Sequence, residues 1–231
     1  MRRIPKTFRP DLAPTCSKGP VDTVRSDTRP PAQPLHHLDA LWIQVAGTLC
    51  NLTCTHCFVS CGPTEGRHRM MSREDVRARV AEGLLLGMKE VYFTGGEPFL
   101  HRDMETILAD TLEFAPATVL TNGTLFGERR VGALAALAGS ARFSMELRVS
   151  LDGWDAASHD AFRGPGSFER TMEGLRLLTR AGLSPIVTVT HAPGDDRLAL
   201  HARYRERLAS RGVPGLRLKF LPLFHHGREA Q

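Results

Sequence analysis

No stretch of this sequence reaches about 18 consecutive apolar residues, so it offers no candidate for a membrane-spanning helix. The basic N-terminus, MRRIPKTFRP, is not followed by the apolar segment that a secretory leader needs, and a cytoplasmic protein is expected. Aromatic residues are scarce: Phe, Trp and Tyr make up 6% of the chain, too few for the interleaved stacking platform of a single-strand nucleic-acid binder. The net charge of +5 comes mostly from arginines scattered over several segments. Scattered basic charge reads as solvated surface, so nucleic acid is not the expected partner. Cysteine is also rare, with five in 231 residues. Four of them fall between positions 50 and 61. An odd, clustered set behind no leader argues against a disulfide framework and for ligation of a metal or cluster.

What is present fits a globular domain, with 42% hydrophobic and 24% charged residues. Residues 1–38 hold Pro5, Pro10, Pro14, Pro20, Pro30, Pro31 and Pro34 and little apolar periodicity. They are expected to form an extended or disordered Pro/Arg-rich arm, in which Cys16 is incidental. From residue 39 onward a core domain is expected. Short apolar runs at Leu41–Ala46, Val91–Thr94, Thr118–Thr121, Leu147–Leu151, Pro185–Thr190 and Leu216–Leu221 predict six buried strands. Between them, Ser72 followed by Arg73-Glu74-Asp75 predicts a capped helix with Val76, Val80 and Leu84 on one face. Met104, Ile107, Leu108 and Leu112 predict a second, and Leu134 with Leu137 a third. A fourth is capped by Ser167 and turns Met172, Leu175 and Leu178 inward; a fifth spans roughly 196–210. The run Leu84-Leu85-Leu86 is read as core packing.

Alternation of strand and helix implies an α/β domain with a parallel sheet and right-handed crossovers. Six strands could close partway as a (β/α)6 barrel or lie open as a doubly wound sheet, and periodicity does not separate these. In either case ligands sit at the carboxyl ends of the strands. The first four strands run into Gly47, Gly95-Gly96, Asn122-Gly123 and Asp152-Gly153, so these turns are expected to ring one site. The sequence ends at Gln231 soon after the sixth strand, and the domain over 39–231 is expected to lack its last helix.

The segment Cys50-Asn51-Leu52-Thr53-Cys54-Thr55-His56-Cys57 has the spacing C-x3-C-x2-C. A short loop with three thiolates can hold three irons of an iron–sulfur cube and leave the fourth open to an amine and a carboxylate. A reduced cluster beside a sulfonium could then pass it one electron. Followed by Phe58, this triad resembles the cluster-binding loop of the radical S-adenosylmethionine (SAM) superfamily. Thr94-Gly95-Gly96-Glu97-Pro98 is similar to that family's GGEP motif, and Ser150-Leu151-Asp152-Gly153 to its fourth-strand segment. His159-Asp160-Ala161-Phe162-Arg163-Gly164 resembles the turn that follows, and Leu221-Pro222-Leu223 through Gly227-Arg228 the end of the barrel. The likeness covers residues 41–226 and is to the SPASM or twitch type and the molybdenum-cofactor-cyclase-like branch, without the auxiliary-cluster extension.

The resemblance implies a partial (β/α)6 barrel with a 4Fe–4S cluster on Cys50, Cys54 and Cys57. It places the Phe58 backbone near adenine, the methionyl amino group at Gly95, Gly96 and Glu97, the ribose at Ser150 and Asp152, and the methionyl carboxylate at Arg163. It also implies reductive cleavage of SAM to a 5′-deoxyadenosyl radical, a peptide or small-metabolite substrate, and an external low-potential electron donor. The residues alone leave other readings open. Cys61 could complete a zinc knuckle or a four-cysteine electron carrier; in the radical reading it is free or takes part in substrate chemistry. Glu97 could be a surface carboxylate capping the next helix, Asp152 an Asx-turn residue, and Arg163 a solvated side chain. His56 is read as supporting the ligands or facing solvent, and His225 and His226 as a tail.

Overall fold

A computed structural model describes residues 37–230. Cys16 and all but the last two residues of the expected arm lie outside them. Six strands form one parallel sheet: β1 (Ala40–Gln44), β2 (Glu90–Thr94), β3 (Ala117–Thr121), β4 (Met145–Ser150), β5 (Ile186–His191) and β6 (Arg217–Pro222). The helices are α1 (Arg73–Leu85), α2 (Met104–Leu112), α3 (Glu128–Ser140), α4 (Ala156–Arg163), α5 (Ser167–Arg180) and α6 (Arg197–Ser210). Short 3-10 turns cover Pro98–Leu100 and Gly227–Ala230.

The strands lie in the order in which they occur in the chain. This settles the choice that periodicity left open. A doubly wound sheet reverses its winding direction and so places helices on both faces. Here every crossover advances the same way, all helices fall on one face, and the sheet curls into a barrel left open between β1 and β6. Period-two alternation follows from it. Ile43, Val91, Phe93, Val119, Leu147, Val149, Val187 and Val189 are buried under the helices. Their strand neighbours Trp42, Tyr92, Thr118, Arg148 and Thr188 occupy the concave face. Along α5, Phe168, Met172, Leu175 and Leu178 seal the outer core; burying a side chain of this size contributes about 1.5–3 kcal/mol before entropy is counted.

Helix starts follow the local chemistry. Ser72 and Asp75 form a reciprocal capping box on α1, and Asp196 caps α6 through Leu198 N and Ala199 N. Three expectations are corrected. Ser167 is the first residue of α5 and not its cap; Gly166, in the left-handed region at φ 72°, precedes it. The Ser167 hydroxyl instead donates to Asp160 Oδ1 at 3.0 Å. The segment from His159 onward, expected as a turn, belongs to α4, whose only buried residue is His159. Eight residues with one buried position leave no periodicity to detect. Finally, Leu85 is 89% exposed and Leu86 about half exposed, and only Leu84 packs on the core. Successive helical residues point about 100° apart, so three in a row cannot all face the sheet. No helix among the described residues is long and apolar enough to cross a membrane.

Candidate active site

The loop after β1 is fastened at its base before it presents any thiol. Leu49 bridges Gly62, Cys50 N donates to Gly62 O at 3.0 Å, and Gly62 N returns to Thr48 O at 3.2 Å. Inside that ring the chain turns tightly, with Cys57 N to Cys54 O at 3.3 Å and Ser60 N to Cys57 O at 3.0 Å. Ser60 takes φ 55°, a conformation that costs a non-glycine residue free energy and persists because the surrounding bonds enforce it. Cys50, Cys54, Cys57 and Cys61 all line one cavity at the carboxyl ends of the strands. Gly95, Gly96, Asn122, Ser150, Asp152 and Arg163 share its wall with Thr188 and Thr190, with Arg148 further in and Phe58, Leu223 and Phe224 at its mouth. Cys50, Cys54 and Cys61 are buried, and Cys57 is partly so.

The glycine pair is explained by backbone contact. A Cβ on Gly96 would lie 1.8 Å from Leu49 O, and Gly95 has φ +124°. Gly96 N donates to Gly47 O at 2.9 Å and Glu97 N to Leu49 O at 3.0 Å, so the end of β2 is bonded to the cysteine loop. Glu97, 1% exposed, is not on the cavity wall. Its carboxylate caps the Pro98–Leu100 turn through Phe99 N (3.1 Å) and accepts from Thr121 Oγ1 (2.7 Å) and Asn122 N (2.8 Å). Burial raises its pKa, against the opposing pull of these donors, Asn122 N first. Glu97 thus fastens the end of β2 to the end of β3 from below the cavity.

Asp152 is the hub of the opposite wall. Oδ2 accepts from His56 Nε2 at 2.9 Å and Arg163 Nε at 2.6 Å, and Oδ1 from Thr190 N at 2.9 Å. Burial alone would raise its pKa; the Arg163 guanidinium and then His56 outweigh that and hold it well below the usual carboxylate range. Arg163 is neither solvated nor unpaired, and the pairing keeps its own pKa raised despite burial. His56 is largely buried against Asp152, and its Nδ1 has no hydrogen-bond partner among the described residues. His159 Nδ1 accepts from Asp152 N at 3.2 Å, which leaves the proton on Nε2. Burial, then Arg163, lowers its pKa to about 4, so it is a neutral prop under the hub.

Among the cysteines, a hydrogen bond from Cys61 lowers Cys57 to about 5, and the same bond raises Cys61. Burial raises Cys50 to about 11 and also raises Cys54. The thiols that ligate would lose their protons on doing so. Among the described residues no group of three or more His, Cys, Asp or Glu side chains is gathered to hold a single metal ion. Soft thiols distributed around a shared cavity fit a larger, sulfur-bridged group better than a lone ion.

Three parts of this wall were not legible beforehand. Arg228 reaches back from the last 3-10 turn: its guanidinium donates to Cys54 O and to Cys61 O (2.9 Å), and its backbone N to Cys57 O (3.1 Å). Asn122 Nδ2 donates to Asn51 Oδ1 at 2.8 Å, and Asn51 Nδ2 to Thr124 Oγ1 at 2.8 Å, tying the loop to β3. Arg148 and Thr188 enter from the strand interiors. The Asn122-Gly123 turn was a signal for the second; nothing local marks the others, which are 167 or more residues from their partners in the case of Arg228.

Residues 45–196, more than half of the chain, match the family model described as the radical SAM superfamily. The chain belongs to the radical SAM superfamily. It is 34% identical over 145 residues to a probable GTP 3′,8-cyclase of Methanosarcina mazei, covering 59% of this chain and 41% of that protein. It is 34% identical to an AdoMet-dependent heme synthase of Nitratidesulfovibrio vulgaris (61% of this chain, 37% of that one). It is 31% identical to the mycofactocin maturase MftC of Mycolicibacterium smegmatis (67% and 40%). The chain thus spans about two-fifths of the length of these relatives. In fold it matches Streptococcus suis SuiB bound to the precursor peptide SuiA with a TM-score of 0.66, at 15% identity, over 82% of this chain and 40% of that one. The open six-stranded parallel sheet is the radical SAM core. Members of this superfamily bind a 4Fe–4S cluster and SAM, and the thiol-lined cavity described above fits such a pair.

Proposed function

We propose that this chain is the catalytic core of a radical SAM enzyme that abstracts hydrogen from an organic substrate, with Cys50, Cys54 and Cys57 holding the 4Fe–4S cluster. The observation that carries this reading is the meeting of the triad, the Gly95-Gly96 turn and the Ser150–Asp152 strand end on one cavity wall. When bound, cluster and SAM together supply reductive cleavage to methionine and a 5′-deoxyadenosyl radical.

The protein's part is to bind, orient and keep out water. Gly95 and Gly96 bring strand-end backbone against the cysteine loop and leave the cavity edge free of side chains for the methionyl amino group. Glu97 acts through them as a positioning residue. Arg163 is the partner for the methionyl carboxylate. Because Asp152 takes its Nε, the rest of the guanidinium is held in one orientation. Ser150 offers its hydroxyl to the ribose; Asp152, with both oxygens already accepting, orients Arg163 and His56 more than it binds sugar. Phe58 and Phe224, with ring centroids 6.2 Å apart, stand at the mouth beside Leu223, with the Phe58 backbone next to adenine.

The substrate is a peptide or a small metabolite. SuiB is solved with its precursor peptide, and MftC is named a maturase, which supports the first class. The electron comes from an external low-potential donor, and the compartment is the cytoplasm. Anaerobic reconstitution with iron and sulfide, then dithionite and SAM, should yield 5′-deoxyadenosine, and Cys54→Ala should yield none. Wild-type protein with a full cluster and no 5′-deoxyadenosine would remove the proposal.

A further inference from the structure

The concave face of the sheet carries a connected set of side chains to which the reading above gives no role. Trp42, Tyr92, Thr118 and Glu146 are successive register partners on β1 to β4. Trp42 and Tyr92 stack with centroids 4.3 Å apart and planes 7° from parallel. Thr118 is small, and Arg148 reaches past it to place its Cζ 5.2 Å from the Tyr92 centroid. Arg148 Nε donates to Glu146 Oε1 at 2.7 Å, and Arg217 Nη2 to Glu146 Oε2 at 3.3 Å. One carboxylate therefore serves two guanidiniums, and the group keeps a positive charge. Lys219, exposed on the same face of β6, adds to it.

Arg148 is only 16% exposed and lines the same cavity as the cysteines, one step deeper along β4 than Ser150. Thr188, the register partner of Ser150, lines it too. Its Oγ1 is buried and has no hydrogen-bond partner among the described residues. The cavity lining thus includes a guanidinium fixed on one edge by Glu146 and on one face by Tyr92 and, level with Ser150, a threonine whose buried hydroxyl is unmatched. A guanidinium held this way presents its terminal N–H groups as a planar donor fork, the geometry that suits carboxylate or phosphate. Arg148 also shares the Glu146 carboxylate with Arg217, so that carboxylate does not match its charge one for one.

We propose that the inner end of the cavity is an oxyanion-binding subsite in which Arg148 and Thr188 hold a carboxylate or phosphate group of the substrate. The word substrate rests on the enzyme reading above; the anion site does not. The test is anaerobic calorimetric titration of the cluster-reconstituted full chain with sodium pyrophosphate and, separately, sodium succinate. Ionic strength is held constant with chloride, and uncharged succinamide serves as control. One of the two oxyanions should bind saturably, the stronger arm telling phosphate from carboxylate, and succinamide should not bind. Arg148→Gln should weaken binding by about tenfold or more, since a hydrogen bond to a charged group is lost. Arg148→Lys should weaken it less, and Thr188→Val by a smaller factor than Arg148→Gln. Circular dichroism and cluster absorbance check each variant; if Arg148→Gln does not fold, Arg148→Lys and Thr188→Val carry the comparison. No oxyanion binding to the wild type, equal binding by the variants, or equal binding of succinamide overturns the subsite. Oxyanion binding without 5′-deoxyadenosine formation would remove the enzyme reading and leave the subsite; the converse result would do the reverse.

Discussion

Replacing Gly96 by alanine tests how tightly the strand end and the cysteine loop are joined. The added methyl would lie 1.8 Å from Leu49 O, 2.3 Å from its carbonyl carbon and 2.9 Å from Cys50 N. All three are backbone atoms, so no side chain can swing aside. Reaching an ordinary contact of 3.4 Å requires the two segments to part by roughly 1.6 Å. That separation breaks the bond from Glu97 N to Leu49 O and strains that from Gly96 N to Gly47 O. Overpacking of this kind costs about 1–3 kcal/mol and a lost hydrogen bond about 1 kcal/mol, giving roughly 2–4 kcal/mol. For a domain of this size Tm should fall by roughly 4–16 °C, and the fold should survive. Cys50 adjoins Leu49 and moves with it, so iron and sulfide content after anaerobic reconstitution should drop far below wild type at temperatures where circular dichroism is unchanged. Gly132→Ala is the control: it sits in α3 with nothing within 4 Å of the added carbon and should stabilise by about 0.5–1 kcal/mol. Wild-type Tm and cluster content in Gly96→Ala would refute the close approach on which the glycine pair is explained.

Further outcomes follow from the same geometry. Arg228→Met should increase amide exchange across residues 54–61 and lower cluster retention, with the far-UV spectrum unchanged, because two carbonyls lose charged donors; Arg228→Lys should recover part of this, and equal exchange in wild type and Arg228→Met would contradict the clamp. Cys61→Ala should keep its iron–sulfur absorbance, whereas Cys54→Ala should lose it; equal loss would instead favour a four-cysteine electron carrier or zinc module. Asp160 accepts from Gly166 N, Ser167 Oγ and Phe168 N, and these donors hold its pKa lowered against burial. A carboxylate depressed in the folded state stabilises fully above its unfolded pKa of about 3.9, and the contribution is lost as pH falls through the lower folded value. Asp160→Ala should therefore cost about 1–2 kcal/mol at pH 7, comparable to removing a good cap. Its gap from wild type in urea melts should shrink below about pH 4; a gap independent of pH would refute the charge's part in it.

The chemistry of the site was written locally. Three thiols spaced within eight residues, two glycines after an apolar strand and an aspartate after another are each short-range patterns, and short-range patterns survive in a linear reading. Strand positions were legible for the same reason, since burial on the helix side imposes apolar residues at Ile43, Phe93, Val149 and Val189 whatever the topology. What tertiary structure decided was everything that depends on which neighbours meet. The strand order turned six strands and the helices between them into a curled, open barrel. Glu97, expected to face an ammonium, is directed under the floor, where Thr121 and Asn122 reach it; Asp152 became a hub because Thr190, Arg163 and His56 converge on it. Arg228 and Arg148 are ordinary arginines in the sequence. They gain a role only because the chain returns one to the backs of the cysteines and lets the other lie across Tyr92, and contacts between residues so far apart along the chain leave no mark on the sequence around either partner.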